Sequence, residues 1–196
     1  MAAKMAKLIY GVITSLDLFI EDASGAFDWA APDEEVHGFV NETQRDIGTH
    51  LLGRRMYEVL RYWDTAATDS AASPVEREYA ETWQGTEKIV YSTTLPPVTS
   101  NRTRVERTFD PASVRRLKET SALDISIGGA TLAAAAFKAG LVDECQVYLS
   151  PVIVAHGKPA FPGGMLLELE LIDQRRFSGG VVFLRYRIGS PGAAQD

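Results

Sequence analysis

The stretch Leu-Asp-Ile-Ser-Ile-Gly-Gly-Ala-Thr-Leu, residues 123–132, decides the fold. Ile125 and Ile127 predict a buried strand, and residues 130–139 predict an alanine-rich helix that Gly140 ends. Two glycines at the corner between strand and helix allow a sharp turn and leave no Cβ in the way of a ligand. The helix start beyond them offers free N–H groups and partial positive charge, which suit a pyrophosphate. Glycine also serves such corners for turning alone, so the motif needs support elsewhere in the chain.

Two further corners join a strand end to groups that suit phosphate. A strand at residues 49–52 runs into Gly-Arg-Arg at 53–55, where arginine can hold a phosphate through two N–H groups. A strand at 88–91 ends in Ser-Thr at 92–93, whose hydroxyls can receive a phosphate. Exposed arginines on a helix and an ordinary turn are the alternative interpretations. Because an alternating β/α chain can bring all three corners to one sheet edge, together they favour an extended phosphate-bearing ligand.

The rest of the chain continues the alternation of strands and helices. Pro32 is expected to be the first residue of a helix, with Asp33, Glu34 and Glu35 in its first turn, where the helix dipole favours carboxylates. Ser-Pro-Val-Glu at 73–76 has the spacing of a capping box. Further strands are predicted at 7–15, 102–107 and 145–150, a helix through 111–118, and a terminal β-hairpin from 169–177 and 181–188 around Ser-Gly-Gly.

Composition bounds the class of protein. The 196 residues fit one α/β domain, residues 1–196, with flexible ends at 1–6 and 190–196. A net charge of −6 argues against a general nucleic-acid binder. The apolar run at 8–20 is too short and too polar for a membrane span, and no signal-peptide cleavage site follows it. Cys145 is the only cysteine, which fits a reducing cytoplasm, and its thiol is expected to be packed.

Several catalytic signatures are missing. The three histidines lack cysteine partners and an H-E-x-x-H motif, so no metal site is expected. Neither a G-x-S-x-G nucleophile elbow nor a Walker A loop occurs.

The corners also occur in a familiar order along nearly the whole chain. The residues are Ser15-Leu16-Asp17, Trp29 with Pro32 before an acidic helix, Leu52-Gly53-Arg54, Ser92-Thr93, Ile127-Gly128-Gly129, Gly140-Leu141-Val142-Asp143-Glu144, and Pro151 through Gly157 to Phe161. This set resembles the dihydrofolate reductase-like superfamily, and within it the C-terminal reductase domain of the riboflavin-biosynthesis protein RibD. The resemblance implies a three-layer α/β fold, with a mostly parallel central sheet, helices on both faces and an antiparallel C-terminal β-hairpin.

The resemblance also implies NADPH as the cofactor. The Gly-Arg-Arg corner at 53–55 would form a phosphate clamp, and the Ser-Thr corner at 92–93 would contact the adenosine 2′-phosphate. The Gly-Gly corner at 128–129 would form the turn that holds the nicotinamide side and the pyrophosphate. In dihydrofolate reductases the two glycines of that turn are joined by a cis peptide. The implied cofactor-binding residues are, in that order, Gly53, Arg54, Arg55, Ser92, Thr93, Gly128, Gly129, Ala130, Thr131 and Leu132.

This chain departs from the family pattern at two positions. Leu18 stands where the branch usually has glycine, and it is expected to narrow the nicotinamide pocket or change the path of the loop. Met56 replaces a threonine, which removes one hydroxyl contact to phosphate. The carboxylate expected near the substrate maps to Asp33, Glu34 or Glu35, of which Glu34 is chosen.

The expected function is that of an NADPH-dependent reductase of a small heterocyclic substrate, similar to the ribosylaminopyrimidine reductase step of riboflavin biosynthesis. Asp17 and Glu34 are the catalytic candidates, expected to orient the substrate or relay a proton. The family branch implies a homodimer without nucleic-acid or membrane partners. Two alternatives stay open: a dihydrofolate reductase, which would bind methotrexate tightly, and a non-catalytic NADP-binding dimeric protein.

Overall fold

The computed structural model describes residues 5–189. This part of the chain forms ten strands and six α-helices, with a 3-10 turn at Asp28–Ala30. The strands are β1 (Leu8–Thr14), β2 (Phe19–Asp22), β3 (Ile47–Gly53), β4 (Glu87–Tyr91), β5 (Thr103–Glu106), β6 (Asp124–Gly128), β7 (Glu144–Leu149), β8 (Gly157–Pro159), β9 (Leu169–Arg176) and β10 (Val182–Ile188). The helices are α1 (Glu34–Gln44), α2 (Arg54–Leu60), α3 (Trp63–Ala66), α4 (Pro74–Gly85), α5 (Pro111–Thr120) and α6 (Ala130–Lys138).

Eight strands form one sheet in the order β5-β4-β3-β6-β1-β7-β10-β9. The six strands from β5 to β7 are parallel, and β10 and β9 continue the sheet as an antiparallel hairpin. Because parallel neighbours run in one direction, the carboxyl ends of β3, β4, β6 and β1 meet at the same edge. The predicted terminal hairpin and the predicted edge strand, β5, are confirmed.

Helices cover both faces of this sheet. On one face, Leu8 and Tyr10 of β1 pack with α5 and α6 in the largest apolar cluster. On the other face, Ile13 of β1 packs with α1, and α4 packs over β3 and β4 through Trp83. Alternate residues of one strand therefore serve opposite layers. This arrangement is the predicted dihydrofolate reductase-like three-layer fold.

The predicted helix starts are confirmed in one case and shifted in another. Ser73 and Glu76 form the capping box of α4, with Pro74 in the first turn. Pro32 is not the first residue of α1: the Asp33 carboxylate accepts a hydrogen bond from the Val36 N–H at 2.9 Å and is the N-cap. Since Asp33 satisfies a free N–H of the first turn, the helix begins after it.

A two-stranded sheet of β2 and β8 was not predicted. Its strands have four and three residues and lack an alternating pattern, so their pairing could not be inferred from local sequence. Gly157 permits the pairing, because a Cβ there would lie 1.9 Å from the Glu21 carbonyl oxygen. The pair fixes the path of the loop after β1.

The predictions for the chain ends fall mostly outside the described residues. Of the ends expected to be flexible, residues 1–4 and 190–196 are outside, whereas Ala6 is buried and its N–H donates to the Lys118 carbonyl at 2.9 Å. Between residues 5 and 189, no helix is long and apolar enough to cross a membrane. Cys145 is buried as expected, and burial raises the pKa of its thiol to about 12.

A group of polar side chains lies inside the molecule between β3, β4 and β6, and we call His50, Trp83, Lys88 and Ser126 the inner cluster. His50 Nδ1 lies 2.5 Å from Ser126 Oγ, and its ring stacks on Trp83. Lys88 is 1% exposed, and its ammonium donates to the carbonyl oxygens of Trp83 and Thr86, at 2.7 Å each. Burial lowers the pKa of His50 to about 3, with the Lys88 charge as a smaller cause. The neutral imidazole is therefore the native form.

Candidate active site

Strand register brings the three corners to one level of the sheet edge. Leu52 of β3 pairs with Gly128 of β6, and Gly53 pairs with Tyr91 of β4. The residues that follow these pairs are Gly129, Arg54 and Ser92, so the corners are neighbours. The predicted proximity of the three corners at the carboxyl edge is confirmed.

The glycine corner is shaped by contacts that exclude side chains. A Cβ at Gly128 would lie 3.1 Å from Leu52 and 3.2 Å from Met56, which is tight packing. Gly129 has φ +95, a conformation that side chains rarely adopt, and it is the N-cap of α6 without a side-chain cap. No cis peptide bond is found in the described residues, so the Gly128–Gly129 bond is trans, unlike that of dihydrofolate reductases.

Ala130, Thr131 and Leu132 form the first turn of α6, as predicted. The first N–H groups of a helix have no intrahelical partner, and the dipole adds partial positive charge there. The arrangement can therefore bind an anion at the surface left open by the two glycines.

The arginines of the next corner point in two directions. Arg54 donates to Thr94 Oγ1 at 2.7 Å and to Glu58 at 2.8 Å, so it bridges the corners after β3 and β4. Arg55 donates to Glu21 of β2 at 3.1 Å. Both side chains are about half exposed, 48% and 61%, so their charges are available to a ligand. Arg54 is nearer to the hydroxyl corner, and Arg55 is nearer to the loop after β1.

The hydroxyl corner is partly occupied by its own turn. Ser92 Oγ accepts the backbone N–H groups of Thr94 and Leu95, at 3.3 and 3.0 Å. Thr93 is exposed. Arg107, which sequence reasoning assigned only to an edge strand, donates to the Ser92 carbonyl at 2.9 Å. It adds a third guanidinium to this edge, and the signal that could have found it was its position one residue past the end of β5.

A pocket of about 220 Å³ lies beside the carboxyl ends of β1 and β7, against the start of α1. We call it the carboxyl-edge pocket, and its lining includes Ile13, Trp29, Asp33, Val36, Tyr148, Ser150 and Gly179. β1 borders β6 on one side and β7 on the other, so its carboxyl end separates the glycine corner from this pocket. A ligand along the corners and a second ligand in the pocket can therefore meet at the end of β1.

Two buried polar groups at this edge of the sheet lack partners in the described chain, and one of them belongs to Trp29, which lines the pocket. The indole N–H of Trp29 is buried without a hydrogen bond, and so is the hydroxyl of Thr14, the last residue of β1. Burying a donor without an acceptor costs about 1–3 kcal/mol, so such groups occur where a ligand or water completes them. Trp29 supported the resemblance, but its role as a pocket wall was not predicted, and nothing in the sequence marked Thr14.

Of the three acids at the start of α1, Asp33 lines the pocket. Gly179 of the terminal hairpin leaves room for it, because a Cβ there would lie 2.5 Å from Asp33 Oδ2. Glu35 instead accepts the Ser178 N–H at 2.9 Å, and the Ser178 hydrogen bonds lower its pKa. Glu34 is exposed and is not among the lining residues.

Asp17 holds two loops together. Its carboxylate accepts the N–H groups of Val154 and Ala155, at 3.3 and 2.8 Å. A hydrogen bond from Ser15, with these two, lowers the pKa of Asp17. The ionised carboxylate therefore links the turn after β1 to the loop after β7.

Leu18 adopts φ +64 and is 42% exposed. This left-handed conformation explains why glycine suits the position, since a branched side chain there is strained. Leu18 does not line the carboxyl-edge pocket. The expected narrowing of the nicotinamide pocket by Leu18 stays a prediction.

The architecture and the open edge place the protein in the dihydrofolate reductase-like class of α/β proteins. Within that class, the chain belongs to the RibD C-terminal domain family, a family of reductase domains, whose model matches residues 6–183. The chain is 29% identical over 185 residues to YyaP, an uncharacterized protein of Bacillus subtilis (strain 168). The aligned region covers 93% of this chain and 95% of YyaP.

Solved structures agree with the fold. A putative riboflavin biosynthesis protein from Shewanella sp. PV-4 superposes with a TM-score of 0.71 at 19% identity, over 94% of this chain and 99% of the other. A TM-score of 0.66 at 15% identity is found with a longer protein from Thermotoga maritima, a diaminohydroxyphosphoribosylaminopyrimidine deaminase/5-amino-6-(5-phosphoribosylamino)uracil reductase. The match covers 95% of this chain but 57% of that longer protein.

Proposed function

We propose that the protein is an NADPH-dependent reductase of a small heterocyclic substrate. The observation that carries the proposal is the meeting of three phosphate-suited corners beside a pocket with an unpartnered indole N–H and a carboxylate. Membership of a family of reductase domains supports the reaction class.

The residues at the edge fit NADPH. Gly128 and Gly129 provide a surface without side chains, and the uncapped first turn of α6, with Ala130, Thr131 and Leu132, would hold the pyrophosphate. Gly53 with Arg54 and Arg55 would form the phosphate clamp, and Ser92 and Thr93 would add hydroxyl contacts at the adenosine end. The 2′-phosphate would then be recognised by Arg54, which donates a hydrogen bond to Thr94 at the hydroxyl corner. When bound, NADPH supplies the hydride.

The pocket would hold and orient the substrate. Trp29 offers an N–H donor, and Asp33 offers a carboxylate acceptor that also caps α1. A donor and an acceptor in one pocket would suit a heterocycle that carries both a carbonyl and an N–H. Asp33 is better placed than Glu34 to bind that N–H or relay a proton, because it lines the pocket.

The roles of Asp17 and Glu34 stay predictions. Asp17 would act by holding the loops that border the pocket, and Glu34 would need to turn towards the substrate from the exposed side of α1. If Asp17→Asn and Glu34→Gln both retain full turnover at saturating substrate, neither residue is catalytic.

The cofactor is tested by titrating the protein with NADPH and with NADH and following the nicotinamide fluorescence. NADPH is expected to bind at least tenfold more tightly, equivalent to about 1.4 kcal/mol. A substrate screen then monitors loss of reduced nicotinamide absorbance with ribosylaminopyrimidine, pterin and flavin compounds. Tight methotrexate binding would favour a dihydrofolate reductase, and cofactor binding without oxidation of any compound would favour a non-catalytic protein.

The pocket carboxylate is tested with Asp33→Asn, because asparagine keeps the N-cap of α1 but removes the charge. Turnover is expected to fall at least tenfold, because a positioned proton-transfer group contributes about 10²–10⁴-fold, and thermal stability should stay unchanged. Glu81→Gln is the control, because it removes an exposed carboxylate on α4 that does not line the pocket, and it should leave turnover unchanged. Equal turnover of Asp33→Asn and the unaltered protein would exclude Asp33.

Homodimerisation is also a proposal. β9 is the edge strand of the sheet, and Leu169 and Leu171 on it are 48% and 46% exposed. An exposed edge strand with apolar side chains is suited to pairing with another chain. Light scattering coupled to size-exclusion chromatography measures the mass directly, and a mass of one chain would contradict the dimer.

A further inference from the structure

A second pocket, of about 200 Å³, lies at the opposite end of α1. We call it the amino-edge pocket, and its lining includes Phe39 and Glu42 of α1, Ile47 of β3, Asp124 of β6, Gln146 of β7 and Arg185 of β10. Ile47 and Asp124 are the first residues of β3 and β6. Since these strands are parallel, the pocket is at the edge opposite the glycine corner, and it plays no part in the proposed reductase site.

The lining is strongly acidic. Glu42, Asp46, Asp124 and Asp173 contribute four carboxylates, against one guanidinium, Arg185. That guanidinium is already paired with Glu144, at 2.6 Å. Glu42 lies in the last turn of α1, where the helix dipole disfavours negative charge, and the basic C-cap residue, Arg45, is paired with Glu78 at 3.1 Å. The pocket is therefore electrostatically suited to a cation.

Gln146 independently indicates a missing polar partner. It is 3% exposed and lines the pocket, and no hydrogen bond of its side-chain amide to residues 5–189 is found. An amide has two N–H donors and a carbonyl with two acceptor sites, so the Gln146 side chain offers these positions to a ligand in the pocket. Gly11 is its neighbour on β1, and a Cβ there would meet no atom within 4 Å, so space remains beside the amide.

The shape of the lining selects among cations. No group of three or more His, Cys, Asp or Glu side chains in the described residues is arranged to hold a metal ion. Ile9, Phe39 and Phe183 instead provide apolar walls between the carboxylates. The volume is below the roughly 300–1,000 Å³ of drug-sized ligand pockets, so the ligand must be small.

We propose that the amino-edge pocket binds a short alkyl diamine. The ammonium groups would pair with the carboxylates of Glu42, Asp46 and Asp173. The alkyl chain would pack on the aromatic walls, and the Gln146 carbonyl would accept an N–H. This site would be separate from the site at the carboxyl edge.

The probe is 1,4-diaminobutane, added to the ¹⁵N-labelled full chain and followed by NMR. Saturable shifts are expected at Phe39, Gln146 and Phe183, and 1,4-butanediol, the uncharged analogue of the same length, is expected to give none. The double variant Glu42→Gln/Asp46→Asn is expected to weaken diamine binding about tenfold. Raising the salt concentration should also weaken it, because partly exposed charges are screened.

Two further variants separate the pocket from general surface acidity. Glu81→Gln removes an exposed carboxylate on α4 that does not line the pocket, and it should leave binding unchanged. Gln146→Leu keeps the side-chain size and is expected to weaken binding several-fold with the fold retained. Equal shifts with the diol, shifts spread over unrelated acids, or unaltered binding by the double variant would overturn the proposal. NADPH titration of the double variant tests the reductase site separately.

Discussion

Strands β3, β4 and β6 carry two groups of polar residues that differ in what satisfies them. The inner cluster is closed: His50 pairs with Ser126, and the Lys88 ammonium is bound by two carbonyl oxygens. The corner group at the ends of the same strands is open, with half-exposed arginines and a helix start that no side chain caps. A polar group buried without a partner is costly, so the interior must satisfy its own groups, whereas the edge can leave them to a ligand.

The difference shows that residue type does not separate structural from functional polarity. Ser126 lies within β6, and Ser92 directly follows β4. Ser126 forms a hydrogen bond with His50 inside the molecule, whereas Ser92 lies at the edge of the sheet. Depth along the strand decides between the two uses. Variants in the inner cluster should therefore change stability, and variants at the corners should change ligand affinity.

The largest effect is expected for Gly129→Ala. A Cβ there has ordinary contacts with Met56 and Gly53, at 3.6 and 3.9 Å, but the φ of +95 makes it cost about 1–2 kcal/mol of stability. The methyl group would also stand on the surface proposed for the pyrophosphate, so NADPH affinity should fall about a hundredfold. Fluorescence titration and denaturant unfolding measure the two effects.

Gly85→Ala is the control, because a Cβ at Gly85 meets no atom within 4 Å and Gly85 precedes the amino end of β4, at the other end of that strand from the corners. It should leave NADPH affinity unchanged. If Gly129→Ala loses stability but keeps its affinity, the corner serves only the turn, and the contrast between the two groups disappears.

The second effect concerns the inner cluster and pH. Unfolded His50 binds a proton near its ordinary pKa of 6.5, but the buried ring does so only near 3. The stability contributed by neutral His50 is thus complete above pH 6.5 and is lost as pH falls towards 3. Between pH 6.5 and about 4.5 the free energy of unfolding should decrease by up to about 3 kcal/mol.

Urea unfolding at several pH values measures how the free energy of unfolding changes with pH. In His50→Gln the number of protons taken up on unfolding should be smaller by about one. His37 also has a pKa lowered by burial, so part of the slope should remain in the variant. An unchanged slope in His50→Gln would show that the inner cluster is not the source of the pH dependence.

The third effect separates the two arginines. Arg54→Gln should weaken NADPH binding about tenfold and NADH binding by less than twofold, because Arg54 lies with Thr94 at the proposed 2′-phosphate corner. Arg55→Gln should have the smaller effect on this preference, since Arg55 faces Glu21. Equal losses for both cofactors in Arg54→Gln would assign Arg54 to the pyrophosphate.

The smallest effect is expected for Leu18→Gly, outside both groups. Because glycine adopts the left-handed conformation without strain, the substitution should raise the free energy of unfolding by about 1–2 kcal/mol. The greater freedom of glycine in the unfolded chain should lower it by about 0.5–1 kcal/mol. The net gain of about 0.75 kcal/mol should raise Tm by roughly 1.5–3 °C for a chain of this size. Leu16→Gly, at an exposed neighbour without positive φ, should instead lower Tm.

The fold could be predicted to a large extent because its signals are local. The capping box at Ser73 and the left-handed Gly140, which ends α6, act through residues a few positions apart, so they are legible in sequence. The start of α1 was misplaced because Pro32 and Asp33 both suit a helix start, and only the bond to Val36 decides between them. The β2–β8 pair was missed because its partners are more than 130 residues apart.

The candidate site could be predicted only in part. The corners were visible because a strand, glycine and a helix start adjoin in sequence, whereas the pocket is assembled from β1, the Trp29 turn, α1, β7 and the terminal hairpin. The choice among Asp33, Glu34 and Glu35 depends on which direction each side chain takes from the first turn of α1. Consecutive helical residues point about 100° apart, so proximity in sequence could not make that choice.

The sequence by itself determined the order of the strands of the main sheet and of the longer helices, the three corners and the family resemblance, because periodicity, caps and glycine positions act over a few residues. Only the tertiary structure decided that Leu52 pairs with Gly128 and Gly53 with Tyr91, and that Asp33 faces the pocket while Glu35 holds Ser178. The physical reason is that register, burial and side-chain direction depend on contacts between residues distant in the chain, which local patterns do not encode.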